Sequence, residues 1–192
     1  MDTQIVLPRP WRRPFIVGRT AIYATGCGLF VVLMILGAYV RIPLFFTPVP
    51  ITLQTFFVLL AGAMLGRRWG AASQIIYLLL GATGLPVFQG YGAGIAHILG
   101  PTGGYLAGFM CAAYIVGYML HEKEEKNLSK IIGSMAVGLA IIYVLGTAYL
   151  KMILGIRYPQ ALLLGFYPFL PGAVIKLVAA SFVYKHIRNP LR

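Results

Sequence analysis

The segment Ile131–Ile153, IIGSMAVGLAIIYVLGTAYLKMI, decides the structural class of this protein. A helix needs about 20 consecutive apolar residues to cross the hydrocarbon core of a bilayer. This segment exceeds that length, and its one charged side chain, Lys151, lies close to its end. The segment therefore predicts a transmembrane helix.

The rest of the chain has the same apolar character. Of its 192 residues, 59% are hydrophobic and 10% are charged, whereas soluble domains have about 25% charged residues. We predict an all-α membrane protein with a six-transmembrane-helix bundle, in a single domain over residues 1–192, with five helices as the alternative count. The predicted helices cover approximately residues 20–40, 53–65, 71–81, 104–120, 131–153 and 172–186.

Positive charge is concentrated in every second connection between these helices. The net charge is +12, from 16 Lys and Arg against four Asp and Glu. In a soluble protein this excess would suggest nucleic acid binding, but in a membrane protein the positions of the charges indicate the orientation. We therefore expect lipid and no nucleic acid around the chain, with both termini in the cytoplasm. The basic clusters are Arg9–Arg19, Arg67–Arg68, Lys123–Lys130 and Lys185–Arg192.

The three connections on the predicted outer side are apolar instead. They cover residues 41–52, 84–103 and 155–171, and the second has no Lys, Arg, Asp or Glu. Irregular backbone at membrane depth is tolerated where protein buries it or where it lines a cavity. We therefore expect these connections to fold back onto the bundle and to form a binding pocket at the outer ends of the helices.

Lys176 is the most informative single residue, because it lies in the last predicted helix beside the apolar Ile175 and Leu177. Ionisable residues within a membrane segment are costly and usually face a cavity or a partner. No acidic residue on the predicted outer side can pair with Lys176, so an anionic ligand would suit it. The alternative is that its long side chain reaches the membrane interface.

Other candidates for the pocket are polar or aromatic residues near the outer helix ends. An apolar cavity with a few directed hydrogen-bonding groups is typical of a small-molecule site. Thr52, Thr55 and Tyr77 are further polar groups in this region, while interfacial anchoring and packing are alternatives for each residue taken singly. The candidate substrate-binding residues are Lys176, Gln54, Phe88, Gln89, Tyr91, His97 and Tyr105.

Small residues recur at every fourth position on the first predicted helix and around the second. This spacing places small residues on one face, where another helix can approach closely. The face is explained either by packing inside the bundle or by docking onto a second membrane protein, in which case Ala24 and Gly28 would form the contact. The small residues are Thr20, Ala24 and Gly28 on the first helix and Gly62, Gly66 and Gly70 around the second.

The sequence indicates neither catalysis nor a cofactor. It contains no phosphate-binding loop of the G-x-x-x-x-G-K-[ST] type, so ATP hydrolysis would require another protein. Cys27 and Cys111 lie inside apolar helices, where unpaired cysteine behaves as a small hydrophobe. His97, His121 and His186 are far apart, so no metal site is expected. A membrane-embedded enzyme, a channel and a structural membrane protein are the less favoured alternatives.

Three segments carry a family resemblance: Pro48–Phe56 (PVPITLQTF), Tyr77–Phe88 (YLLLGATGLPVF) and Gly100–Phe109 (GPTGGYLAGF). In this order they resemble the BioY family, the biotin-binding S components of energy-coupling-factor (ECF) transporters. The resemblance implies a six-helix subunit of the cell membrane that binds biotin. It also implies two kinds of partner, a transmembrane coupling subunit and two cytoplasmic ATPases, although some members are thought to act alone.

One position departs from the pattern of that family. The family usually has Pro-Gly-Asp-x-Ile-Lys at the start of helix six, where the aspartate and the lysine help to bind the vitamin, but this chain has PGAVIK at Pro171–Lys176. Lys176 is retained, whereas Ala173 replaces the aspartate. A buried donor that loses its acceptor costs about 1–3 kcal/mol. The ureido N–H groups of biotin would then need neutral acceptors such as Gln54 or Gln89, or the ligand would lack a ureido ring, as lipoate does.

Overall fold

The computed structural model describes residues 18–120 and 127–188, and it is mostly helical over these ranges. The N-terminal arginines before Arg19, together with His121, Lys123 and Lys126, lie outside the described residues. Two short strands are present, β1 (Arg41–Ile42) and β2 (Ile51–Thr52). The helices are α1 (Arg19–Tyr39), α2 (Gln54–Ala82), α3 (Ile95–Ile98), α4 (Gly103–Leu120), α5 (Leu128–Leu154), α6 (Tyr158–Gly165) and α7 (Leu170–Arg188).

The long apolar segments form helices where the sequence predicts them. The bounds of α1, α4, α5 and α7 differ from the predicted bounds by at most about three residues, which is the usual uncertainty for helix ends. Within the described ranges, four segments are long and apolar enough to cross a membrane. They are Thr20–Tyr39, Gly103–Leu120, Leu128–Leu154 and Tyr158–Ile187.

The helix α2 reverses its direction at Gly66. This residue has φ 81° and ψ 177°, a conformation that is essentially confined to glycine. Gly70 then lies against the backbone of Gly62, and Gln54 Nε2 donates a hydrogen bond of 2.8 Å to the Tyr77 hydroxyl. Both pairs are centred on or within one residue of Gly66, so α2 consists of two antiparallel arms. The sequence predicts two helices that end at about residue 65 and begin at about residue 71, but one glycine is sufficient for the turn, and the second arm begins directly after Gly66.

The first arm of α2 also runs antiparallel to α1. A Cβ atom at Gly37 would lie 3.3 Å from the Gln54 backbone nitrogen, and one at Gly26 would lie 2.7 Å from Leu65 Cδ2. The helix α4 packs against both α2 and α5, and α7 packs against α2 and α5. The resulting core is built from fully buried side chains of these helices. They include Val58, Leu59, Val116, Met135 and Ile142.

The outer connection at residues 155–171 is more regular than the sequence suggests. Instead of an irregular loop, it contains α6 and a short 3-10 helix at Tyr167–Phe169. Pro159 lies in the first turn of α6, where a missing N–H costs nothing, and the Arg157 backbone N–H donates to Gln160 Oε1 at 3.2 Å. Proline therefore begins a helix here rather than preventing one.

The first outer connection forms a strap across one end of the bundle. We call residues 41–53 the strap. Its strands β1 and β2 pair antiparallel, with Arg41 opposite Thr52. At its tip, the Thr47 hydroxyl donates a hydrogen bond of 2.7 Å to the Leu164 carbonyl oxygen of α6. The strap therefore folds back onto the helices, as predicted for the outer connections.

The close contact between α2 and α4 predicts opposite outcomes for two Gly→Ala substitutions. A Cβ atom at Gly62 would lie 3.0 Å from Ala113 Cα, so Gly62→Ala should lower the free energy of unfolding by about 1–3 kcal/mol. Gly133 in α5 has no atom within 4 Å of such a Cβ, so Gly133→Ala should be neutral or stabilising by up to about 1 kcal/mol. Thermal unfolding in detergent measures both, and equal midpoints would contradict this packing.

Candidate ligand site

A cavity of about 40 Å³ lies under the strap. Its walls come from the strap, the start of α2, the loop before α4, and the helices α4, α5 and α7. Leu106, Phe109, Ile142 and Phe169 give it an apolar wall. Val49 and Pro50 of the strap also line it, and the other lining side chains can form hydrogen bonds, so the cavity has the mixed lining expected of a small-molecule site. These polar residues are Thr52, Gln54, Thr55, Gln89, Thr102, Tyr105, Tyr143 and Lys176.

Lys176 provides the positive charge in this wall. Its Nζ donates a hydrogen bond of 2.8 Å to the Thr52 carbonyl oxygen in the strap. Residues 18–120 and 127–188 include no Asp or Glu, so no carboxylate in the described chain can pair with this ammonium group. An ammonium group has three N–H donors, and one of them has an acceptor in the described protein. The remaining donors are available to a ligand.

Gln54 and Tyr105 also line the cavity, but their polar groups already have partners. Gln54 Nε2 donates to Tyr77, and Gln54 Oε1 accepts from the Thr52 hydroxyl at 3.4 Å. The Tyr105 hydroxyl donates to the Gly165 carbonyl oxygen at 2.7 Å. These bonds hold both side chains in fixed orientations in the wall.

Gln89 is the fourth candidate from the sequence that the structure brings to this cavity. Its Nε2 donates a long hydrogen bond of 3.4 Å to the Thr102 hydroxyl. The same side chain lines a second, outer cavity of about 180 Å³ under the tip of the strap, and Pro50 is also common to both. Arg41 lines the outer cavity. The two cavities therefore adjoin, with one cation in the wall of each.

The structure places Phe88, Tyr91 and His97 outside the walls of both cavities. Phe88 is buried between Tyr77 and His97, with its ring stacked on His97 at a centroid distance of 4.8 Å. Tyr91 is 70% exposed and packs against Tyr39. Its φ of 61° follows the positive φ of Gly90, and these two left-handed residues turn the loop away from the cavity. The sequence does not reveal such a turn.

The cavity is also lined by residues that are not among the candidates predicted from the sequence, namely Tyr143, Phe109, Ile142 and Phe169. Apolar residues inside transmembrane helices look alike in the sequence whether they face lipid, core or ligand. Among these four, Tyr143 could have been found from the sequence. A buried tyrosine hydroxyl normally has a hydrogen-bond partner, so a tyrosine inside an apolar helix indicates a polar neighbour or a ligand. Tyr143 lies in the middle of α5 and is 5% exposed.

Ala173, which stands where the resembled family has aspartate, is fully buried within the apolar core. It lies three residues before Lys176 in α7 and does not line the cavity. The methyl group fills its position without leaving a polar gap. No other residue of the described ranges supplies the missing carboxylate, because these ranges contain no acidic side chain.

The fold and the site define a helical membrane protein with a small-molecule cavity near one end of its bundle. The BioY family model matches residues 15–192. This chain belongs to the BioY family.

Curated relatives extend over most of the chain. The biotin transporter BioY of Thermotoga maritima is 42% identical over 163 residues, which cover 84% of this chain and 93% of that protein. The biotin transporter BioY of Rhizobium etli is 36% identical over 159 residues, covering 79% and 84%.

A solved structure has the same fold. The crystal structure of the S-component for biotin from an ECF-type ABC transporter matches with a TM-score of 0.82 and 26% identity, over 88% of this chain and 92% of that chain.

His97 predicts a pH dependence of stability. Burial lowers its pKa below the ordinary value of 6.5, so folding favours the neutral imidazole stacked on Phe88. This contribution to stability is complete above about pH 6.5 and is lost as the pH falls through the lower, folded-state pKa. The thermal unfolding midpoint of the wild type in detergent should therefore fall between pH 7 and pH 4 more than that of His97→Gln. Parallel curves for the two proteins would argue against this role.

Proposed function

We propose that this chain is the substrate-specific membrane subunit for uptake of biotin. The observation that carries the proposal is the composition of the cavity under the strap, in a chain of the BioY family. The cavity combines an apolar wall with hydrogen-bonding groups and the single ammonium group of Lys176, without any carboxylate from the described ranges. Such a site suits a mostly apolar molecule with hydrogen-bond acceptors.

The Lys176 ammonium group has N–H donors without an acceptor in the described protein. The ureido oxygen of biotin or a carboxylate oxygen could accept from it, and charge-assisted hydrogen bonds of this kind are stronger than neutral ones. The aromatic side chains of Phe109, Tyr105 and Phe169 would contact the apolar part of the ligand. We further propose that Gln54 and Gln89 are ligand contacts, as the sequence predicts, with Gln89 at the junction of the two cavities.

Phe88, Tyr91 and His97 are more distant from the proposed ligand. Phe88 is buried behind the cavity wall and His97 stacks on it. We infer that these two residues support the loop that carries Gln89. Tyr91 is exposed beside Tyr39, so it has no contact with a ligand in the cavity.

Ligand entry requires movement of the protein. The cavity of about 40 Å³ is smaller than the sites of several hundred Å³ that are typical for small molecules. The strap is joined to α7 by the hydrogen bond from Lys176 and to α6 by that from Thr47. We infer that the bicyclic ring of biotin displaces the Lys176 side chain, the strap or both when it enters.

We propose that the chain forms one domain over residues 1–192 in the plasma membrane, with six membrane helices. In addition to the four long apolar segments, the two arms of α2 would be the second and third membrane helices. The reversal at Gly66 places Arg67 next to Gly117 near the end of α4. The basic residues near this end of the bundle support a cytoplasmic location for it and for both termini.

Transport would be driven by other subunits, because the sequence has no ATP-binding loop of its own. We propose a transmembrane coupling subunit and two ATPases as partners, with the face of α1 around Ala24 and Gly28 as the contact. Ala24 is exposed, and a Cβ atom at Gly28 would have no neighbour within 4 Å. This face is therefore not used for packing inside the described bundle.

The proposed function predicts that Lys176 contributes to biotin affinity. Lys176→Met keeps the apolar side chain but removes the donors, and hydrogen bonds to charged groups contribute about 1.5–3 kcal/mol. The variant should bind biotin roughly 10- to 150-fold more weakly, as measured by calorimetry on the purified protein. Lipoate is measured alongside. If the wild-type protein binds lipoate but not biotin, lipoate replaces biotin as the proposed substrate. An unchanged biotin affinity in Lys176→Met would exclude Lys176 from the ligand contacts.

The exposed face of α1 predicts a separation of transport from binding. Gly28→Leu should reduce uptake of radiolabelled biotin into cells by about tenfold or more, because the larger side chain prevents close helix contact. Its biotin affinity in detergent should equal that of the wild type. Gly133→Leu, at an equally open glycine of α5, is the matched control and should retain uptake. Loss of binding in Gly28→Leu would contradict the docking assignment.

A further inference from the structure

Two buried side-chain oxygen atoms in the described ranges have no hydrogen-bond partner, Thr55 Oγ1 and Gln74 Oε1. Gln74 is fully buried in α2 beside Ser73, which accepts a hydrogen bond from its Nε2 at 3.0 Å, and it does not line the cavity. Thr55 is 8% exposed and lines the cavity under the strap. A buried polar atom without a partner is uncommon in folded proteins. Thr55 is thus an unsatisfied group at a place where a ligand can satisfy it.

Three other neutral side chains of the cavity, Gln54, Tyr105 and Gln89, are less available than Thr55. The Gln54 amide is bonded to Tyr77 and Thr52, and the Tyr105 hydroxyl is bonded to the Gly165 carbonyl. Gln89 is bonded to Thr102 and is only partly buried. Among these side chains, Thr55 offers a buried acceptor that no protein donor already occupies.

Thr55 also shares the cavity with the charged group of the site. It is three residues after Thr52, whose carbonyl oxygen accepts the hydrogen bond from Lys176 Nζ. Both Thr55 and Lys176 line the same small cavity. This cavity of about 40 Å³ therefore presents both a free acceptor, the Thr55 hydroxyl oxygen, and free donors of the Lys176 ammonium group.

We propose that Thr55 is a specificity-determining residue whose hydroxyl oxygen accepts a hydrogen bond from a ureido N–H of biotin. This inference rests on the proposed function. A cyclic urea carries N–H donors beside a carbonyl acceptor, which matches the acceptor of Thr55 and the donors of Lys176. The Thr55 hydroxyl would then accept the ureido hydrogen bond that an aspartate would accept in the resembled family, where this chain has Ala173.

The position of the second cation supports this orientation of the ligand. Arg41 lines the outer cavity, which adjoins the inner one at Pro50 and Gln89. The Arg41 guanidinium lies over Gly90, since a Cβ atom there would be 3.0 Å from Arg41 Cζ. A ligand with a neutral polar head and an anionic tail would therefore place its head beside Thr55 and its carboxylate toward Arg41.

Thr55 would also set the preference between biotin and lipoate. Lipoate has the carboxylate tail but no N–H group, so its ring would leave the Thr55 hydroxyl buried and unpaired. Sites built to hydrogen-bond a ligand group discriminate strongly against analogues that lack it, because the polar group of the site then remains unsatisfied. The hydroxyl thus favours biotin without any steric exclusion of lipoate.

The test compares Thr55→Val, which has nearly the same shape without the hydroxyl, with Thr55→Ser, which keeps the hydroxyl. Calorimetry on the full chain in detergent measures the affinity of each variant for biotin, biotinamide and lipoate. Thr55→Val should weaken biotin and biotinamide equally, by about tenfold, and should leave the affinity for lipoate unchanged or higher. Thr55→Ser should remain within about threefold of the wild type for biotin.

Thermal unfolding separates this role from a structural one. Because the Thr55 hydroxyl has no protein partner, Thr55→Val without ligand should unfold at the wild-type temperature or above it. Wild-type biotin affinity in Thr55→Val would overturn the inference and leave the proposed function intact. A loss for biotin that is absent for biotinamide would also overturn it, because Thr55 would then contact the carboxylate. Absence of biotin binding by the wild type would instead refute the proposed function itself.

Discussion

The hydrogen bond of 2.8 Å from Lys176 Nζ to the Thr52 carbonyl oxygen joins α7 to the strap, and the shape of the cavity depends on it. No acidic side chain exists in the described ranges, so the ammonium group can bond only to neutral acceptors there. A backbone carbonyl satisfies one N–H without neutralising the charge. The protein therefore closes the site, but the positive charge of Lys176 has no negative partner among the described residues.

The same interaction explains how an outer loop can be apolar. The strap has two short paired strands and is held by Lys176 on α7 and by Thr47 on α6. Several of its backbone groups, such as the Val49 and Leu53 N–H groups and the Thr52 carbonyl, thus have partners in the protein. Its apolar residues can then cover the cavity or face the membrane interface. Phe45 at its tip is fully exposed, which fits a membrane surface better than water. Polar residues would be needed here only if the loop extended into solvent.

The sequence predicts the helices well and the site in part. Long apolar segments leave little choice at α1, α4, α5 and α7, because only a helix satisfies the backbone in lipid. The residues of the cavity depend on side-chain direction, which apolar composition does not encode. Lys176, Gln54, Gln89 and Tyr105 are polar or amphipathic and thus noticeable, and the structure brings them together. Phe88, Tyr91 and His97 have similar character, but Phe88 and His97 stack on each other outside the cavity and Tyr91 packs against Tyr39. Tyr143 and Phe169 are concealed among other apolar residues.

The replacement of aspartate by Ala173 is compatible with ligand binding because of where the methyl group lies. It is fully buried in the core, and a carboxylate at this position would have Lys176 as its nearest basic residue in α7, one turn away. Such a pair would be costly to desolvate and would leave Lys176 less available. With alanine, α7 keeps its close packing in the core. No carboxylate of the described chain pairs with Lys176, whose ammonium group donates to the neutral carbonyl oxygen of Thr52 instead. Under the proposed function, the departure would therefore change the chemistry of recognition from an ionic pair to a lone cation among neutral groups, on a scaffold with the same fold as the solved biotin S-component.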